Sequence, residues 1–181
     1  MLDKCLIRLF GSKEAVQFCQ DLLDLYHLRD EKIKARIEFV SLNPGENFEL
    51  KESLQCVSYK VPHSSSSLAY RFRFEEEKKE LLYSGDTPLN PLLFKEASGV
   101  DYLIHDCSAP SRFFKKYPSL HTVHTHSLEL GKLSQQAKVK CLIPCHFFGE
   151  LEFPLSEIED EIRKNYKGRL VIPEDLKKIT L

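Results

Sequence analysis

Three residues with metal-binding side chains stand where runs of apolar residues end: His63 after VSYKVP, Asp86 after LLYSG and His146 after CLIPC. Such runs predict buried strands, and α/β sheets build their binding sites at the ends of strands. Neutral imidazoles and a carboxylate are an ordinary ligand set for zinc. The placement therefore predicts a metal site formed by His63, Asp86 and His146.

Each of these residues also has a simpler interpretation. Asp86 follows Gly85, and the pair is common in turns because an aspartate side chain can bond its own backbone. A single histidine is more often a hydrogen-bonded structural residue than a ligand.

His105 and Asp106, in LIHDC, also end a predicted strand. We interpret them as a structural pair, with support of the metal site as the alternative.

A second group of imidazoles lies in LHTVHTHS, which contains His121, His124 and His126. Ser127 is predicted to cap the helix that follows. The amino end of a helix favours anions and can hold a catalytic imidazole. We expect two of the three histidines to be surface residues.

The elements that position these residues follow from the hydrophobic pattern. Strands are predicted at 6–10, 38–42, 53–61, 100–106, 140–146 and 169–173, with a hairpin over 67–83. Helices are predicted after Ser12, at 90–99, from Ser127 through Ala137, and at 154–168. Strands that alternate with helices indicate an α/β fold.

The composition bounds the class of protein. A chain of 181 residues is most simply one domain, residues 1–181, and it carries 26 basic and 27 acidic residues. The net charge of -1 offers no general basic surface for nucleic acid or an anionic membrane. No apolar run approaches the ~18 residues of a membrane span. We therefore expect a soluble, cytoplasmic protein whose six cysteines are mostly buried thiols.

The order of these motifs resembles that of the metallo-β-lactamase-fold hydrolases, particularly the ribonuclease Z-like branch. VPHSSSSLAYRF is similar to the segment with the third-motif histidine, here His63. YSGDT is similar to the fourth motif with its bridging aspartate, Asp86, and LIPCHFF to the fifth motif, which ends in His146. His124 stands 22 residues before His146, similar to the extra histidine that assists proton transfer in this branch.

The resemblance implies an αββα sandwich, two zinc ions and hydrolysis by a zinc-bound hydroxide. It further implies that His63 binds one zinc ion, that His146 binds the other, and that Asp86 binds both and so takes part in catalysis. His124 is then the second catalytic residue, which protonates a leaving oxygen or steadies a phosphate.

One family motif has no counterpart in this sequence. The H-x-H-x-D-H block, which supplies most of the other metal ligands, does not occur in these 181 residues. The resemblance then implies a C-terminal portion of the domain and an incomplete sandwich with one apolar sheet face exposed. Because a zinc site needs about four donors, we expect weak or absent zinc binding and no activity in this chain alone. A complementing N-terminal segment or a second copy in a homo-oligomer would complete the zinc site and the sandwich.

Three functions remain open. The first is a zinc-dependent hydrolase of a phosphodiester or similar ester. RNA is a possible substrate, but the tRNA-processing members insert an arm between the third and fourth motifs. Only 22 residues separate His63 from Asp86, which makes a small ester at least as plausible. The second is a non-catalytic binding or scaffold half-domain. The third is an unrelated α/β protein in which these residues serve only turns and core.

Overall fold

A computed structural model describes residues 5–28 and 35–180, which contain two sheets. The smaller sheet pairs β1 (Cys5–Gly11) with β2 (Ala35–Ser41) in parallel. Helix α1 (Lys13–Leu25) follows β1 and packs on this sheet. Its start is fixed by Ser12, whose Oγ accepts a hydrogen bond from the backbone N–H of Ala15.

The larger sheet has seven strands that lie side by side in chain order. They are β3 (Asn47–Lys51), β4 (Leu54–Lys60), β5 (Leu68–Phe74), β6 (Lys79–Tyr83), β7 (Tyr102–Asp106), β8 (Cys141–Cys145) and β9 (Arg169–Leu170). Strands β3 to β6 are antiparallel, whereas β6 to β9 are parallel. The parallel half therefore presents the ends of β6, β7 and β8 at one edge, as parallel strands require.

The helices of the second half are α2 (Pro91–Glu96), α3 (Ser111–Lys116), α4 (Ser127–Gln136) and α5 (Leu155–Arg163), with a 3-10 helix at Pro118–Thr122. Helices α2, α4 and α5 bury apolar side chains in one cluster with Leu82, Leu103 and Leu142 of the parallel strands. A separate cluster on the same strands includes Leu81, Tyr102 and Ile143. Since neighbouring residues of a strand point to opposite faces, the sheet is apolar on both faces.

Most predicted elements are present, with three differences. Strand β3 was not predicted, because its residues, NFELK, closely follow the turn signal Asn43-Pro44-Gly45 and only two are apolar. Helix α3 was also not predicted, because its six residues are too few to show a helical period. The N-cap of α4 is His126 rather than Ser127, because the His126 side chain accepts from the backbone N–H of Glu129.

An exposed apolar surface lies on β1 and α1, in the described part of the chain. Leu6 and Ile7 of β1 are exposed, and Phe18 and Leu25 of α1 expose 66% and 71% of their area. Only Val16 of α1 is buried. All six cysteines are free thiols, of which Cys5 is exposed. Among the described residues, no helix combines the length and the apolar character needed to cross a bilayer.

Candidate metal centre

The parallel half of the larger sheet brings three chain segments to one edge. Strand β7 lies between β6 and β8, and Asp106 at the end of β7 is paired with Cys145 at the end of β8. Asp86 follows β6 by three residues, and His146 directly follows β8. The carboxylates of Asp86 and Asp106 and the imidazole of His146 therefore share this edge.

A glycine turn connects β6 to Asp86, as the sequence predicts. Gly85 has φ +61°, and a Cβ at this position would lie 3.0 Å from the carbonyl oxygen of Leu68. Ser84 holds the turn in place, because its buried Oγ accepts a hydrogen bond from the backbone N–H of Asp106 at 3.0 Å. The turn thereby ties the Asp86 segment to the end of β7.

Asp106 is the most buried acidic group of the edge, with a side chain that is 0% exposed. Its Oδ2 accepts from the backbone N–H of Thr87 at 3.0 Å and from His124 Nδ1–H at 2.8 Å. Its Oδ1 has no hydrogen-bond partner among the described residues and lies 3.9 Å from His146 Nδ1. Burial, together with the nearby charge of Asp86, raises the pKa of Asp106 to about 7. The neighbouring His146 acts on this pKa in the opposite direction but does not outweigh burial.

Three imidazoles form a row above this carboxylate. The ring of His124 lies 5.2 Å from that of His63 and 5.1 Å from that of His146, measured between centroids. His63 Nδ1–H donates to the carbonyl of Val123 at 2.8 Å. The other ring nitrogen of His63, Nε2, therefore carries no proton and has a lone pair available. The Nε2 of His124 is left in the same state by the bond to Asp106. Metal-binding histidines are typically held in this way.

Burial lowers the pKa of His124, and the neighbouring His63 lowers it further when charged. His124 is therefore more readily neutral than an ordinary histidine, and its Nε2 can accept as well as deliver a proton. Its ring also makes an edge contact with Phe148, with centroids 4.8 Å apart. This contact and the bond to Asp106 leave little room for the ring to rotate.

His146 and Asp86 form the more open side of the centre. His146 Nε2 lies 3.6 Å from Asp86 Oδ2, and the two side chains expose 39% and 42% of their area. His146 has φ +65°, an uncommon conformation for a residue other than glycine. The chain leaves β8 through this conformation, which turns the imidazole back over the sheet edge.

The predicted residues are found in one place, but the tightest group of donors includes a residue that the sequence analysis interpreted differently. Ligand atoms of Asp106, His124 and His146 lie within 4.8 Å of one another. Asp86 lies next to this group because its carboxylate is near the imidazole of His146, and His63 lies next to it because its ring contacts that of His124. The ligand roles of His63, Asp86 and His146 and the catalytic roles of His124 and Asp86 stay predictions.

Asp106 was missed because its role depends on pairing between distant segments. The signal that could have found it is its position at the end of the strand between those that carry Asp86 and His146. Its neighbour His105 is buried, bonds the backbone oxygen of Asp106 at 2.8 Å and packs on Phe94. Burial lowers the pKa of His105 to about 4. The two side chains therefore do not form the expected structural pair.

The donor set fits a metal ion. Imidazoles such as those of His63 and His146 and carboxylates such as those of Asp86 and Asp106 are ligands that zinc takes, and a cation beside His146 would compensate Asp106 Oδ1, which has no partner among the described residues. A buried carboxylate oxygen without any partner is otherwise costly.

Comparison with known proteins identifies the family and the fold of the chain. The profile of the "Beta-lactamase superfamily domain" family matches residues 7–147. Among curated proteins, none matches the sequence significantly. The metallo-β-lactamase fold protein YhfI from Bacillus subtilis superposes with a TM-score of 0.73 at 15% identity, covering 93% of this chain and 63% of that one.

Two further solved structures share the fold. A diphosphatase of the PhnP family has a TM-score of 0.67 and 15% identity, with 98% of this chain and 59% of that chain covered. The short form of human tRNase Z has a TM-score of 0.68 and 13% identity, with 99% and 69% covered. At such identities the likeness shows the fold alone.

The chain spans about three-fifths of the length of YhfI and of the diphosphatase. The predicted α/β fold class is confirmed, because these structures superpose on nearly all of this chain. The family profile covers well over half of the sequence and includes the three strand-end positions His63, Asp86 and His146. The protein therefore belongs to the β-lactamase superfamily domain family and has a metallo-β-lactamase fold.

Proposed function

We propose that the protein is the C-terminal portion of a zinc-dependent hydrolase that cleaves a phosphodiester or a similar ester. The observation that carries this proposal is the row of three imidazoles beside Asp86 and Asp106, together with the buried Oδ1 of Asp106, which has no partner among the residues that the structure describes. A structural role for these residues does not account for that oxygen, because burying an unpaired polar atom costs about 1–3 kcal/mol.

The residues that would hold metal are His63, Asp86 and His146, together with Asp106. A bound zinc ion supplies a nucleophile at neutral pH, since it lowers the pKa of its water to about 7. His63 is suited to bind the metal because the Val123 carbonyl holds the imidazole proton on Nδ1 and leaves Nε2 free. Asp86 is suited to bind it because its carboxylate stands 3.6 Å from His146 Nε2 and is partly open to solvent.

His124 would move the proton that the reaction needs. Asp106 fixes its Nδ1–H, so that Nε2 is the nitrogen that faces a substrate. A positioned imidazole with a pKa near the working pH can protonate a leaving oxygen, an effect of about 10²–10⁴ in rate. Asp106 acts here as a positioning residue, because it holds the tautomer and the orientation of the ring.

A small phosphodiester or other small ester is at least as plausible a substrate as RNA. The net charge of -1 gives no general basic surface, and the β5–β6 hairpin fills the 22 residues between His63 and Asp86. The proteins of similar fold include a diphosphatase and a tRNase Z, so RNA remains the alternative substrate. We infer a cytoplasmic location from the free thiols of all six cysteines.

The isolated chain would be inactive and would bind zinc weakly at the candidate metal centre, because this sequence lacks the H-x-H-x-D-H block of the family. The exposed apolar side chains of β1 and α1 support a partner, either a complementing N-terminal segment or a second copy. The same surface favours the second candidate function, a binding or scaffold half-domain that has lost the chemistry.

Zinc content and the cleavage of bis-p-nitrophenyl phosphate would separate these functions. The chain should be assayed alone and joined to the segment translated from the DNA upstream of Met1. The hydrolase requires turnover and zinc at the candidate metal centre in the longer form, and loss of turnover in Asp86→Ala. A longer form without turnover, whose zinc content Asp86→Ala leaves unchanged, would favour the binding protein.

A further inference from the structure

His121, His126 and Glu129 form a second cluster of metal-binding side chains, apart from the candidate metal centre. Each offers one ligand atom, and the three atoms lie within 4.8 Å of one another. His121 belongs to the 3-10 helix, His126 caps α4, and Glu129 lies in the first turn of α4. The imidazole rings of the two histidines stand edge to face, with centroids 5.6 Å apart.

The spacing of two of these donors suits coordination of one ion. His126 Nε2 lies 3.2 Å from Glu129 Oε2. Two ligands of a tetrahedral zinc ion, each bonded at 2.0–2.2 Å, are about 3.3 Å apart. An ion could therefore bind both atoms with little movement of either side chain.

The surroundings hold the two rings in place. Phe114 is buried and makes edge contacts with His121 and His126, with centroids 5.0 Å away in each case. The side chain of His126 is only 8% exposed, whereas that of Glu129 is 43% exposed. The cluster thus has an apolar wall on one side and access from solvent on the other.

Glu129 is the residue that offsets the charges unfavourable to a cation at this cluster. The amino end of α4 and the nearby Lys115 both disfavour a cation, while Glu129 and Glu161 act on His126 with the opposite sign. Glu161 is already bonded to Ser111 and Ser127. The Glu129 carboxylate is therefore the anion available to compensate a bound ion.

An alternative role for these residues is capping. His126 Nδ1 accepts from the backbone N–H of Glu129 at 3.4 Å, and its Nε2–H can then donate to the Glu129 side chain. A metal ion on Nε2 would move the proton to Nδ1 and remove the cap bond. That bond is long, so its loss is a small cost.

We propose that His121, His126 and Glu129 bind a divalent transition-metal ion of the zinc class at a site separate from the candidate metal centre. Two imidazoles and one carboxylate suit zinc, whereas magnesium and calcium prefer oxygen ligands. The ion ties the 3-10 helix to α4, and the segment between them carries His124. The site therefore braces the loop that holds the catalytic imidazole.

Zinc titration of the full chain tests this site. In an Asp106→Asn, His146→Ala background, which removes donors of the candidate metal centre, one equivalent of zinc should still bind, measured by calorimetry. Adding His121→Gln or Glu129→Gln should weaken that binding by at least about tenfold. Cobalt should replace zinc and give visible absorption that the same substitutions remove.

Glu159→Gln is the matched control, because Glu159 is an exposed carboxylate of α5 outside the cluster. It should leave zinc binding unchanged. His121→Gln in the otherwise unaltered chain should lower the zinc stoichiometry by one and keep the fold, since His121 is exposed. Zinc binding that is absent from the background, or that neither cluster substitution alters, would overturn the site. Either result leaves the proposed hydrolase untouched, since that rests on other donors.

Discussion

The imidazole of His124 donates from Nδ1 to the buried Oδ2 of Asp106 at 2.8 Å, and Oδ1 of the same carboxylate has no partner in the described part of the chain. The bond connects the proposed proton donor directly to the proposed metal centre. One oxygen of Asp106 orients the imidazole, while the other faces His146. A carboxylate with two such tasks makes metal binding and proton transfer depend on the same side chain.

Asp106→Asn should weaken zinc binding about 10–100-fold, because the amide removes the negative charge that faces His146. Without metal the variant should be about as stable as the unaltered chain, since a buried charge without compensation is replaced by a neutral group. Thermal unfolding with and without added zinc measures both effects. Asp160→Asn, at an exposed position of α5, is the control and should behave as the unaltered chain. In a His121→Gln background, which removes a donor of the second cluster, a zinc-dependent stabilisation that survives in Asp106→Asn would exclude Asp106 from the metal centre.

His124→Ala should slow cleavage according to the leaving group. A diester that releases an alkoxide needs its leaving oxygen protonated, so its rate should fall about 10²–10⁴-fold in the active form of the protein. p-Nitrophenolate leaves without a proton, so bis-p-nitrophenyl phosphate should lose far less. Steady-state rates on the two substrates give the comparison. Equal losses on both would mean that His124 binds metal or phosphate and does not deliver the proton.

Much of the site could be predicted because its signals are local. Apolar runs end next to His63, Asp86 and His146, and each run is at or beside a strand in the structure. The turn before Asp86 needs a glycine, and Gly85 has the positive φ that explains it. These features depend on a few consecutive residues, which hydrophobic period and turn chemistry describe well.

The remaining features depend on pairing between distant segments. Asp106 becomes central only because β7 lies between β6 and β8, and its unpaired Oδ1 is a property of the packed edge. His126 replaces Ser127 as the cap of α4 because its side chain accepts from the backbone N–H of Glu129, and its ring also contacts Phe114 of α3. No local pattern in LIHDC or LHTVHTHS specifies either contact.

Gly85→Ala should destabilise the protein and displace Asp86. The φ of +61° costs an alanine about 1–2 kcal/mol, and its Cβ would lie 3.0 Å from the Leu68 carbonyl oxygen. Gly45→Ala is a matched control, since Gly45 has φ +84° and open space around it. Urea denaturation should give the larger loss for Gly85→Ala, and zinc affinity should fall only in that variant. Equal losses in the two variants would show that the contact with Leu68 is relieved at no cost.

Glu161→Gln should make the stability of the protein less dependent on acid pH. Burial alone would raise the pKa of Glu161, but hydrogen bonds from Ser111 and Ser127 outweigh it and lower the pKa. A carboxyl whose folded pKa is lowered stabilises the protein above its unfolded pKa of about 4.3. That contribution is lost as the pH falls through the folded pKa.

At pH 7 the Glu161→Gln variant should therefore be about 1–3 kcal/mol less stable, because hydrogen bonds to a charged group are replaced by bonds to an amide. Below pH 4.3 the two proteins should converge, as the carboxyl of the unaltered protein takes up its proton. Urea denaturation at a series of pH values measures the difference. Glu159→Gln, which is exposed on the same helix, should show no such convergence. A difference that stays constant from neutral to acid pH would mean that Glu161 contributes through packing and not through its charge.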